Sequence, residues 1–177
     1  MRTGGLERLR ELLLEEGGVM ATLLTPAPQN GERRRQLPGA PAGIVARGPR
    51  AQGHEEEYEL LIEAIYEGYL LHYGSPRVLR APEADLGLLA GDRLYAMGLA
   101  RLVDLGDTLA VAELADTITL SALAQGAGRE DLAEAVWEAG ARAVGWGSSE
   151  AHAAAKDLLL AGDLGALDAM RTSALAV

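Results

Sequence analysis

The sequence predicts an all-α protein, on three observations. Alanine and leucine abound while phenylalanine and cysteine are absent, and 49% of the 177 residues are apolar, a composition of helix formers with enough material for a core. From about residue 54 onward the apolar positions recur at helical spacing, with no strand-like alternation and no internal repeat. Glycine-containing breaks separate these stretches, and several pair a glycine stop with an Asp or Ser able to cap the next helix.

The elements follow in order. Leu6, Leu9, Leu12 and Leu13 predict a short helix over 6–16, closed by Gly17-Gly18. Five of the seven prolines (Pro26, Pro28, Pro38, Pro41, Pro49) and the run Arg33-Arg34-Arg35 fall within 25–53. That stretch reads as a mobile linker, too proline-rich for a helix and too polar for a core. The expected organisation is therefore a short helix plus a flexible Pro/Arg-rich linker over 1–53, and a helical domain over 54–177. Within the domain, helices are predicted at 54–72, 83–104, 108–126, 129–144, 149–161 and 164–174. The helix at 83–104 is apolar on nearly every side and carries Gly87, Gly91 and Gly98. It is the expected central helix, its small residues admitting a neighbour at close range.

Composition also excludes functions. A net charge of −10 argues against a general nucleic-acid binder. Absent cysteine removes disulfides, thiolate catalysis and Cys-type zinc sites. The apolar stretch Leu86 to Val103 contains Asp92, Arg93 and Arg101, so no transmembrane segment is expected. The charged amino terminus lacks a signal-peptide core, which makes the cytoplasm the default location. No phosphate loop, dinucleotide fingerprint or HExxH zinc motif occurs. Gly145-Trp146-Gly147-Ser148-Ser149 reads as a turn with a Ser helix cap, because a nucleophile elbow needs a glycine two residues after its serine. His54, His72 and His152 are scattered without ligand spacing, and Trp137 and Trp146 read as packing residues.

One constellation carries possible chemistry. Glu56, Glu59, Glu63 and Glu67 fall on one stripe of the 54–72 helix, with apolar residues covering the rest. Such a stripe faces water or a polar cavity. Carboxylates one turn apart, such as Glu63 and Glu67, can share a hard cation such as Mg²⁺. The solvated stripe is the simpler reading.

Residues 60–96 read LLIEAIYEGYLLHYGSPRVLRAPEADLGLLAGDRLYA. Leu71, Gly74 and Pro76, then Leu89-Ala90-Gly91-Asp92 and Leu94, resemble the L-R-R-G-x-P and L-A-G-D-x-L runs of the trans-polyprenyl diphosphate synthases. Gly74 and Gly91 are 17 residues apart, as that family's frame implies. The resemblance covers about 60–105, continues more faintly to about 145 and is absent before 54. It implies a helical bundle like part of the isoprenoid synthase fold, with Gly74, Pro76, Gly91 and Asp92 as structural members of the frame.

In the same register, the family's three motif aspartates fall on Glu63, Ala64 and Glu67, and its paired arginines on His72 and Tyr73. Tyr58 and Glu59 fall on positions that line the family's hydrocarbon tunnel. No DDxxD occurs. The resemblance therefore implies a non-catalytic accessory subunit of a polyprenyl diphosphate synthase, contributing to dimerisation and product chain length. It would act as a homodimer, or as a heterodimer with a catalytic synthase, through the helices at 83–104 or 108–126. No catalytic residue is assigned and no cofactor is required, with Mg²⁺ on Glu63 and Glu67 the one possible exception. Two alternatives remain open: a homodimeric helical scaffold of unrelated role, and a small-ligand or metal enzyme using Glu63, Glu67 and Asp92.

Overall fold

A computed structural model describes residues 4–26 and 40–175. Among these the chain forms nine α-helices: α1 (Gly5–Glu16), α2 (Gly18–Thr22), α3 (Pro41–Ala46), α4 (Glu55–Tyr73), α5 (Ala84–Asp104), α6 (Thr108–Gly126), α7 (Glu130–Trp146), α8 (Glu150–Leu160) and α9 (Ala166–Leu175). A single 3-10 turn, Pro49–Ala51, lies between α3 and α4. The all-α prediction holds, and the six helices predicted after residue 53 match α4–α9 to within two residues at either end. Extended pairing among the described residues is limited to one isolated bridge, Leu24 with Leu79. No helix among the described residues is long and apolar enough to cross a membrane.

The central helix is α4, not α5 as the composition of 83–104 suggested. One side of α4 joins a core with α3, α6 and α7, through Tyr58, Leu61, Ile62 and Ile65 against Val45, Leu114, Trp137 and Val144. Its opposite side joins a second core, through Leu60 and Ala64 against Leu9, Leu13, Leu79 and Leu94. Helices α6–α9 enclose a third, around Leu120, Val136, Leu159 and Met170. Helix α5 presses Gly91 and Gly98 against α4 and leaves Leu88, Leu89 and Val103 exposed. Its small residues mark one intimate contact, not an all-round one. A Cβ at Gly98 would overlap the buried Ile65 side chain, so α4 and α5 touch nearly backbone to backbone.

The linker expected over 25–53 is corrected by the structure from residue 40 on. Pro41 occupies the first turn of α3, where its missing N–H costs nothing, and Pro49 does the same for the 3-10 turn. Ala42, Ile44, Val45 and Ala51 are buried in the core shared with α4 and α7. Gly48 approaches Gly145 so closely that neither could carry a side chain unchanged. The domain boundary at 54 therefore dissolves, since α3 is part of the core. Helix α1 also belongs to the body, with Leu9 and Leu13 fully buried. Arg33-Arg34-Arg35 and the rest of 27–39 lie outside the described residues.

Gly98→Ala tests the α4–α5 contact. Ala raises helix propensity by about 1 kcal/mol, whereas forcing a methyl group into a filled core costs about 1–3 kcal/mol. The expected outcome is a net loss of stability, read as a lower urea midpoint with an unchanged m-value.

Candidate functional site

The acidic stripe is exposed at Glu56 and half-buried at Glu59, and its lower half is fully buried. Glu63 and Glu67 are 1% and 0% exposed, and each is met by a cation brought from elsewhere in the chain. Gly74 closes α4, and Ser75-Pro76 turns the chain back along the helix it has just left. The next three amides then point at one carboxylate oxygen. Glu67 Oε1 accepts from Arg77 N at 2.6 Å, Val78 N at 2.6 Å and Leu79 N at 3.1 Å. These loop amides have no helical partner, and buried amides require an acceptor. The Arg77 side chain folds over the same group, with Nε 3.2 Å from Glu67 Oε2 and Nη2 2.7 Å from Glu63 Oε2. Its guanidinium also lies 5.1 Å from the centre of the Tyr66 ring, a cation–π contact.

The upper half of the stripe is held from α1. Arg8 Nη2 donates to Glu59 Oε2 at 2.7 Å and to Glu56 O at 3.0 Å. Gly5, at the start of α1, packs against the side chains of Glu59 and Glu63. That places the positive end of the α1 dipole beside two carboxylates. Leu23 and Thr25 then bond across to Arg80 and Val78, joining the segment after α2 to the loop held by Glu67.

These contacts decide what the pair can do. A hard cation needs carboxylate oxygens turned toward it with room for water. Here a guanidinium bridges the two carboxylates, and three amides fill the other Glu67 oxygen. The arrangement does not fit Mg²⁺. No group of three or more His, Asp or Glu among the described residues is arranged to hold a metal.

The other frame residues come together as packing. Gly91 faces α4 so closely that a Cβ would lie 2.6 Å from the His72 ring and 3.0 Å from Gly68 O. His72 stacks on Tyr95 with ring centres 5.4 Å apart, and its Nε2 lies 3.2 Å from Asp92 Oδ1. Asp92 stands at the surface, with its side chain 67% exposed. The positions resembling the paired arginines, His72 and Tyr73, belong to an aromatic row with Tyr66, Tyr69, Tyr95 and Trp137. Asp92 pairs with His72, whereas Glu63 and Glu67 share Arg77.

Two further polar clusters escaped the sequence reading because their members are far apart in the chain. Asp107 caps α6 by accepting from Ala110 N at 3.0 Å, and receives Arg50 Nη2 and Tyr58 Oη at 2.6 Å each. Burial acts to raise the Asp107 carboxyl, but the Tyr58, Ala110 and Arg50 hydrogen bonds outweigh it and hold the group below its ordinary value. Burial and the same carboxylate push Tyr58 up to about 12. The Asp-cap signal at Asp107 was legible, but the arginine was assigned to a linker.

The second cluster ties α8 and α9 to α6. His152 Nε2 lies 2.7 Å from Glu113 Oε1, and its Nδ1 lies 3.3 Å from Ser173 Oγ. Lys156, the only lysine in the chain, donates to both Glu113 oxygens at 3.0 and 3.1 Å and to Asp116 at 2.8 Å. Burial works to raise the Glu113 carboxyl, yet hydrogen bonds from His152 and Lys156 prevail and keep it below the ordinary range. Burial works to lower Lys156, and its two carboxylate partners hold it above its usual value instead. Ser149 caps α8 by accepting from His152 N at 3.1 Å, as the Gly-Trp-Gly-Ser-Ser turn suggested.

Two predictions follow from this geometry. Arg77→Leu leaves Glu63 and Glu67 buried without their cation and should cost about 3–5 kcal/mol, measured by urea unfolding at neutral pH. Glu113 has its folded-state pKa depressed from 4.5, so its contribution is complete above that value and is lost as pH falls through the lower, folded one. Glu113→Gln should therefore cost about 1.5–3 kcal/mol at pH 7. The stability difference between variant and wild type should shrink toward acid pH.

Compared with known proteins, the chain matches no family model, no curated protein and no solved structure.

Proposed function

We propose that this chain is a non-catalytic helical subunit that works by association, in the specific form of an accessory partner of a polyprenyl diphosphate synthase. The observation that carries the reading is the occupation of Glu63 and Glu67 by Arg77 and three backbone amides. Prenyl transfer draws charge off a diphosphate through cations clamped between free carboxylates, and this pair is committed to holding a loop.

The tunnel-lining positions support the same reading. Glu59 is paired with Arg8, and Tyr58 donates to Asp107, so neither presents an apolar wall to a growing hydrocarbon. What the resemblance retains is the packing frame, in which Gly74 and Pro76 reverse the chain and Gly91 admits α4. The outward sides of α5 and α6 carry exposed Leu88, Val103, Leu109 and Leu123, apolar surface of the kind a partner helix covers.

The test is co-purification with a catalytic polyprenyl diphosphate synthase, followed by product-length analysis with and without this chain. The pure chain is expected to show no turnover with Mg²⁺ and allylic plus homoallylic diphosphates. Mixed with the synthase, it is expected to bind and to shift product length. Turnover by the pure chain, or no binding to any synthase tried, would overturn the reading.

A further inference from the structure

Helices α8 and α9 share the third core with α6 and α7 but bring little apolar bulk to it. Leu159 and Met170 are the large apolar side chains that the pair buries there, beside Ala155 and Ala166. Leu158 and Leu167 are only partly buried, and Leu160, Leu164 and Leu175 stand in solvent at 62%, 90% and 78% exposure. The surface beneath is itself largely alanine, with Leu120, Leu132 and Val136 as its larger members. Helix α4, by contrast, buries Tyr58, Leu61, Ile62, Ile65 and Tyr69 in the first core. Apolar stabilisation scales with the area removed from water, so α8 and α9 are held less firmly by packing than α4 is.

Polar bonds complete the attachment, and they converge on one helix. Among the described residues, every side-chain hydrogen bond from the pair to the rest of the chain ends on Glu113 or Asp116 of α6. Glu113 is the buried one of the two and meets His152 and Lys156 together. His152 carries the connection on to Ser173 of α9, whose hydroxyl also donates to Met170 O at 2.8 Å. A buried ionic cluster of this kind returns little net stability, because its members regain water when it opens. The join between α7 and α8 suits such an opening. It consists of Gly147, Ser148 and Ser149, with Gly147 at φ 99° and nothing packed where a Cβ would stand. A short glycine joint of this kind can absorb a large dihedral change.

We propose that α8 and α9 form a lid over α6 and α7 that opens as one unit at Gly147 while α1–α7 stay folded, with Glu113 as its latch. Opening uncovers the apolar side chains of Leu120, Leu132 and Val136 and returns Glu113, His152 and Lys156 to water. The closed state requires the carboxylate of Glu113, since both lid helices are tied through it. The inference does not rest on the accessory-subunit reading, and its test contains no synthase.

Native-state amide hydrogen exchange of the full chain, read by NMR in rising sub-denaturing urea, tests the lid. Leu159 and Met170 are expected to exchange through one shared opening, with protection at least about 100-fold below that of Ile65 in α4. Glu113→Gln should lower the protection of both by at least about tenfold. Gly98→Ala weakens the α4–α5 contact, which the open state keeps, so it should lower protection at Ile65 and leave Leu159 and Met170 unchanged. Protection of Leu159 and Met170 equal to that of Ile65 would overturn the proposal. So would separate openings for the two helices, indifference of both amides to Glu113→Gln, or a loss under Gly98→Ala as large at Leu159 as at Ile65.

Discussion

The bond set between Glu67 and the 77–79 backbone is the constraint on which the rest of this fold depends. A loop that leaves α4 and must reach α5 cannot keep its amides in a helix, because Pro76 and Pro82 interrupt it. Buried without acceptors, those amides would destabilise the turn by more than its apolar contacts return. One carboxylate oxygen receives all three, and Arg77 neutralises both that carboxylate and Glu63 beside it. Val78 and Leu79 are thereby delivered into the core with Leu9, Leu13 and Leu94. The segment after α2 then bonds to this loop, so α1 and α2 dock on a surface the clamp has built.

The same economy of buried charge recurs at the other end of the molecule. Glu113 is oriented by His152 and Lys156, and Asp107 by Arg50 and Tyr58. In each case the carboxylate lies on or beside α4 or α6 and the cation arrives from a peripheral element. Such pairs contribute less to net stability than apolar replacements would, but breaking one leaves an uncompensated charge. They fix which way each outer helix can sit on an otherwise smooth alanine–leucine surface.

Much of this was legible in the sequence. The boundaries of α4–α9 follow from apolar spacing and from glycine or Asp/Ser at the breaks, and they fell close because each signal is local. The α3 segment is hidden in the sequence because its prolines read as breakers, whereas Pro41 and Pro49 stand in first turns, where proline is tolerated. Helix α5 reads as central because its glycines remove polar character from every side, although the two that admit a helix closely, Gly91 and Gly98, both face α4. The stripe of Glu56, Glu59, Glu63 and Glu67 was visible as a pattern. Its partners were not, since Arg8 lies 51 residues from Glu59 and only the fold brings them together. The placement of Gly74, Pro76 and Gly91 in a sequence-like frame has a structural sense, a chain reversal and a close helix crossing, that stands without any chemistry.

Glu67 and Arg77 form a structural clamp that holds the 77–79 loop against α4. Amide hydrogen exchange at Val78 and Leu79, followed by NMR, tests it most directly. If the clamp is integral to the fold, these two loop amides exchange only through global unfolding, with protection equal to that of Ile65 in the middle of α4. Exchange of Val78 and Leu79 far faster than Ile65, with the core still protected, would show a loop that opens on its own and would contradict the account.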